Sequence, residues 1–121
     1  MNHVLHIIHG ELVAEIPRNS PVIKTAQDFL ETVMNLPADT IILHQETLPE
    51  SFFDLRSGLA GEILQKVVNY RCRLAIVGDF SHYTNKSLHD FIRESNRGNT
   101  IVFTETLSDA VEKFGIIKTI K

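Results

Sequence analysis

The residues best suited to chemistry fall in two stretches, His44 to Gly58 and Gly78 to Lys86. Ser57, His82 and Asp79 are the residue types of a hydrolytic triad: nucleophile, base and orienting carboxylate. Their surroundings argue against that use. Arg56-Ser57-Gly58 lacks the glycine that precedes the serine of a nucleophile elbow, and Asp79 and His82 lie close together on one loop. Gly58 and Gly61 lack the lysine and companion glycines of a phosphate loop. His3, His6 and His9 resemble a metal motif. On a strand, however, His6 points away from the other two, and no cysteine or carboxylate pair completes the set. No metal, no cofactor and no catalytic residue are therefore expected.

Ser57-Gly58-Leu59-Ala60-Gly61 places a hydroxyl at the entry to a helix. Its simplest role is an N-cap that accepts from free helix amides. The same position suits a phosphate, which the helix dipole and free N–H groups would favour. Asp79 and Ser81 serve as turn residues through side-chain to backbone hydrogen bonds. Ser87, with Asp90 three residues on, forms a loose capping box.

These residues need elements to position them. Val4–His9 and Glu11–Ile16 read as two strands of a hairpin turning at His9-Gly10, with Leu12, Ala14 and Ile16 on one side. Helical spacing of Ile23, Ala26, Phe29, Leu30, Val33 and Met34 predicts a helix over 22–36, stopped by Pro37. Ile41–Leu43 and Leu74–Gly78 are continuous apolar runs, as expected of adjacent interior parallel strands. Helices are predicted over 58–70, 87–96 and 107–114, the last ended by Gly115, and a final strand over 101–103. The segment from His44 to Arg56 reads as irregular.

The predicted order is β-β-α-β-α-β-α-β-α, a single α/β domain over 1–121 with a mixed five-stranded sheet and four helices. Strands alternating with helices imply right-handed parallel crossovers, with helices mainly on one face. The other face would then be partly open and available to a second copy, so a homodimer is expected. Ligands of such sheets collect beyond the carboxyl ends of the parallel strands. There the sequence puts His44, Asp54, Arg56, Gly58, Asp79, Ser81, His82 and Tyr83, the candidate ligand or partner surface.

Composition narrows the function classes. The chain of 121 residues is 43% hydrophobic and 22% charged, with a formal net charge of -3. These values fit one globular domain with a real core. Nucleic-acid and anionic-membrane surfaces require clustered Lys and Arg, so neither partner is expected. The single cysteine, Cys72, rules out an internal disulfide and fits a reducing compartment. The start of the chain lacks a signal-peptide pattern and no apolar run reaches membrane-spanning length, so a cytoplasmic location is expected.

Two resemblances follow from particular runs. Phe52-Phe53-Asp54-Leu55-Arg56-Ser57-Gly58-Leu59-Ala60-Gly61, with Leu74-Ala75-Ile76-Val77-Gly78-Asp79-Phe80-Ser81 and Phe91-Ile92-Arg93-Glu94-Ser95-Asn96-Arg97-Gly98, resembles the bacterial family catalogued as domain of unknown function 4180. That likeness covers nearly the whole chain and implies no activity. The element order is also similar to that of STAS domains, the anti-anti-sigma regulators of bacterial partner switching. Their Asp-Ser-Ser/Thr-Gly motif is phosphorylated on its last hydroxyl residue. Ser57 is the position here that matches, although Leu55-Arg56 separates it from Asp54 by one residue more than that motif has. The resemblance implies a STAS-like, non-catalytic, protein-binding regulatory module with Ser57 as its phosphorylation candidate. A small-molecule-binding domain or a small enzyme using the loops after the third and fourth strands is the alternative.

Overall fold

The computed structural model describes residues 3–8 and 10–120, with side chains described as far as 114. Strands β1 (Val4–Ile8) and β2 (Glu11–Glu15) pair antiparallel, with Ile8 opposite Glu11. Gly10, between them, takes φ +80, a left-handed conformation that glycine adopts without a Cβ penalty. Strands β3 (Thr40–His44), β4 (Arg73–Val77) and β5 (Ile101–Thr104) follow in parallel, and the sheet order is β1-β2-β3-β4-β5. β3 and β4 are adjacent and central, as their apolar sequences require.

Helices α1 (Ala26–Met34), α3 (Leu59–Asn69) and α4 (Lys86–Arg97) make the crossovers, and α2 (Glu50–Phe53) is a single turn inside the second. They share a core with one face of the sheet, built on Phe29, Ile41, Leu43, Phe52, Ile63, Leu74, Ile76 and Leu88. Burying each such side chain contributes about 1.5–3 kcal/mol. Helix α5 (Leu107–Ile120) lies on the opposite face, where Ala110 and Phe114 pack on Ile42, Ala75, Val77 and Val102. The face expected to be open is thus largely covered. Among the described residues no strand follows β5, so α5 is free to fold back across the sheet. Successive residues of β3 therefore alternate between two cores, which is why all five are buried.

Several boundaries differ from the sequence expectation. Helix α1 begins at Ala26 because Thr25 caps it, its hydroxyl accepting from Asp28 N at 3.0 Å. The preceding Ile23 is tied instead to Thr47, its N–H donating to the Thr47 carbonyl at 2.8 Å. Asn85, not Ser87, caps α4 by accepting from Leu88 N. Helix α5 runs through Gly115. Glycine costs only about 1 kcal/mol in a helix interior, so it weakens the helix without ending it. The stretch read as irregular holds α2 and two 3-10 turns, Gln45–Thr47 and Leu55–Ser57, all too short to show a period. Among the described residues, no helix is long and apolar enough to cross a membrane.

Candidate functional site

The loops after β3 and β4 meet through an aromatic cluster. Phe53 stacks on Tyr83 with ring centroids 5.1 Å apart, and Phe80 lies 5.8 Å from Phe53 and edge-on to Phe103 at 5.4 Å. Pairs in this range add about 0.5–1.5 kcal/mol beyond their buried area. The Tyr83 hydroxyl donates to Glu50 at 3.3 Å and accepts from Gln45 Nε2 at 3.5 Å. Burial pushes the phenol pKa up against the Gln45 hydrogen bond, and the Glu50 charge adds to the rise. Gln45 in turn crosses over Gly78, where a Cβ would stand 2.6 Å from Gln45 Cβ. Only glycine permits that approach, so Gly78 sets how closely the two loops meet.

The surface residues form short, self-satisfied turns. Asp79 Oδ1 accepts from Ser81 N at 2.9 Å and from the Ser81 hydroxyl at 2.6 Å. These bonds hold the Asp79 carboxyl below its ordinary range. His82 is exposed and its ring lies 4.1 Å from that of Tyr83. Arg56 forks onto Asp54, with Nε 3.1 Å from Oδ1 and Nη2 3.3 Å from Oδ2, and lowers its pKa. The guanidinium is thereby engaged and is not turned to Ser57.

Ser57 is exposed at the end of the second 3-10 turn. Its hydroxyl donates to the Ser51 carbonyl at 2.5 Å and accepts from Leu59 N at 3.2 Å. It therefore fastens the end of α2 to the start of α3, while the N-cap position itself is Gly58, at φ +82. Among the described residues, no hydrogen bond joins any two of Ser57, Asp79 and His82, so the structure does not assemble a triad. The surface carboxylates of Asp54 and Asp79 are stabilised as ions. A general acid needs the opposite, a carboxyl whose pKa is raised toward neutrality.

His44 does not belong to this surface. It is 4% exposed and lies on the α5 face of the sheet, beside Ile42. Its Nε2 is 2.7 Å from Glu15 Oε2, and His6 Nε2 is 2.8 Å from Glu15 Oε1. One carboxylate thus ties together β1, β2 and β3. Burial works to raise the Glu15 pKa, but the bonds from His44 and His6 and their charges prevail, and it is lowered. An ionised carboxylate only accepts, so each bound Nε2 carries a proton. That leaves His44 Nδ1 buried without a partner among the described residues. The cluster escaped the sequence reading, although the signal existed. The alternation that puts Leu12, Ala14 and Ile16 on one side puts Glu15 on the other, with Val13.

Among the described residues, no group of three His, Cys, Asp or Glu side chains is placed to hold a metal ion. The expectation about His3, His6 and His9 falls partly outside them, since His9 is not described. A groove of ≈ 750 Å³ runs beside α1, lined by His3, Val22, Lys24, Asp28 and Leu36 among others, and by none of the candidate loop residues.

No curated protein and no solved structure matches the chain. The family described as Domain of unknown function (DUF4180) matches residues 8–114, and the chain belongs to that family.

Proposed function

We propose that this domain is a non-catalytic protein-binding module, and that its docking surface is the relief formed by the loops after β3 and β4. The observation that carries the proposal is the state of the polar groups there. Asp54 is held by Arg56, Asp79 by Ser81, and Tyr83 by Glu50 and Gln45. Such a surface is pre-organised, so little ordering cost remains when a partner binds. Asp54 and Asp79 are tuned as acceptors rather than as acids.

The finer reading is a bacterial, cytoplasmic regulator of the STAS-like partner-switching kind, with Ser57 as the modified residue. Support comes from the exposure of Ser57 and its position at the junction of α2 and α3. A phosphate there would replace the hydroxyl proton given to the Ser51 carbonyl and set two anionic oxygens against that acceptor. Modification would loosen the junction as well as change the surface charge. The proposed partner is a protein rather than nucleic acid or membrane, in keeping with the net charge of -3.

The test is affinity capture from the native cell with wild type and a His82→Glu variant, each before and after phosphatase treatment. A single partner held by wild type and lost by the variant is the expected result. Equal recovery by both proteins would reject the docking surface. A second reading, a small-molecule-binding domain, is favoured by the groove beside α1. A metabolite that co-purifies with the protein and is released on denaturation would support it.

A further inference from the structure

The two edges of the sheet are treated differently. At the β5 edge, Asn96 uses its side-chain amide as a surrogate strand. Its Oδ1 accepts from Phe103 N at 2.7 Å and its Nδ2 donates to the Phe103 carbonyl at 3.1 Å. At the β1 edge no such cover is present among the described residues. Instead Leu5 is 45% and Ile7 75% exposed, and Leu12, paired with Ile7, extends the apolar patch. The strand Val-Leu-His-Ile-Ile contains no lysine, carboxylate or proline. Those are the devices by which exposed edges are blunted.

We propose that β1 pairs antiparallel with β1 of a second copy, about a two-fold axis at His6, joining two sheets into one. The occupant follows from the strand's own pattern. Ile8 and Glu11 close a hairpin with two residues between them, so that pair is hydrogen-bonded and the bonding alternates along the strand. The N–H and C=O groups of Leu5 and Ile7 consequently point outward. With His6 on the axis, Leu5 faces the partner's Ile7 and each exchanges both backbone bonds with it. Every outward group of these two residues is satisfied by the same residues of the copy, as an isologous contact requires.

The side chains agree with that register. On the α1 face, Leu5 meets Ile7; on the α5 face, Val4 meets Ile8 and His6 meets His6. No Lys, Arg, Asp or Glu of β1 is desolvated, and each His6 keeps its own Glu15 at 2.8 Å. One strand pair makes a small interface, below the roughly 1,200 Å² of standard complexes, so the dimer should dissociate on dilution. The two-fold pairing of β1 uses no residue of the docking surface proposed above and does not depend on it.

The test combines sedimentation over a dilution series with amide exchange on the wild-type protein. The expected result is a concentration-dependent dimer in which the Leu5 and Ile7 amides are protected, with protection lost on dilution. Ile7→Lys, at a position already open to solvent, should abolish the dimer while leaving the circular dichroism spectrum unchanged, and Ile7→Val should retain it. A wild type that stays monomeric at high concentration overturns the proposal. So does a dimer whose Leu5 and Ile7 amides exchange freely. The wild-type measurements decide the question even if a variant fails to fold.

Discussion

Glu15 and His44, 29 residues apart in the chain, meet at 2.7 Å on the α5 face of the sheet. The contact exists because β2 and β3 pair in parallel with Glu15 beside Ile42, which brings the end of β3 within reach of the carboxylate. Glu15 is the polar hinge of a largely apolar face. Its removal should be felt in the pairing of three strands.

Glu15→Gln should destabilise the domain by about 1–3 kcal/mol, since one charge-assisted acceptor would be replaced by an amide that cannot accept from both imidazoles. The pH dependence has a definite sign. The folded carboxyl pKa lies below its ordinary value of 4.5, so the stabilisation is fully present above that value. It is lost as the pH falls through the lower folded pKa. Chemical denaturation of both proteins from neutral to acid pH should show the gap narrowing below pH 4.5. A gap that widens in acid would contradict the assignment.

Ser57→Ala should cost about 1 kcal/mol, since it removes the modest net contribution of the hydrogen bonds to the Ser51 carbonyl and from Leu59 N. Ser57→Asp should cost at least as much, because its carboxylate can accept from Leu59 N but cannot donate to the Ser51 carbonyl. Thermal melts of the two variants check the order. An aspartate variant as stable as wild type would show that the Ser51 contact is unimportant.

Gly78→Ala should be destabilising by about 1–3 kcal/mol, the range for forcing extra atoms into a packed site. The new methyl would strike Gln45 near its backbone, where the side chain cannot swing away. Proton spectra should show displaced resonances for Gln45 and Tyr83. A variant of wild-type stability with unmoved Tyr83 resonances would contradict the close approach.

Asn96→Ala should remove about 1–3 kcal/mol by leaving the Phe103 backbone groups unpaired. Amide exchange at Phe103 should accelerate correspondingly. Unchanged protection there would mean that Asn96 is not the cover of the β5 edge.

The sheet was legible because its central strands are unambiguous. Ile41–Leu43 and Leu74–Val77 are too apolar for anything but an interior position, and alternation with helical periods then fixes the crossovers. The placement of α5 is not legible, since a helix after β5 can pack on either face and Gly115 reads as a stop. Topology alone locates the candidate loops. It does not give their internal geometry, because Gln45 over Gly78 and Ser57 on Ser51 are matters of close packing rather than pattern. Asn96 covering Phe103 is likewise invisible until the turn between α4 and β5 is built.

Partner docking on the loops after β3 and β4 is the central claim. Amide exchange on the domain, alone and saturated with the captured partner, tests it most directly. The claim predicts new protection over 45–57 and 79–85, with the α1 groove and the β1 edge unchanged. Protection confined to the groove or to β1, with those loops exchanging as in the free protein, would contradict it.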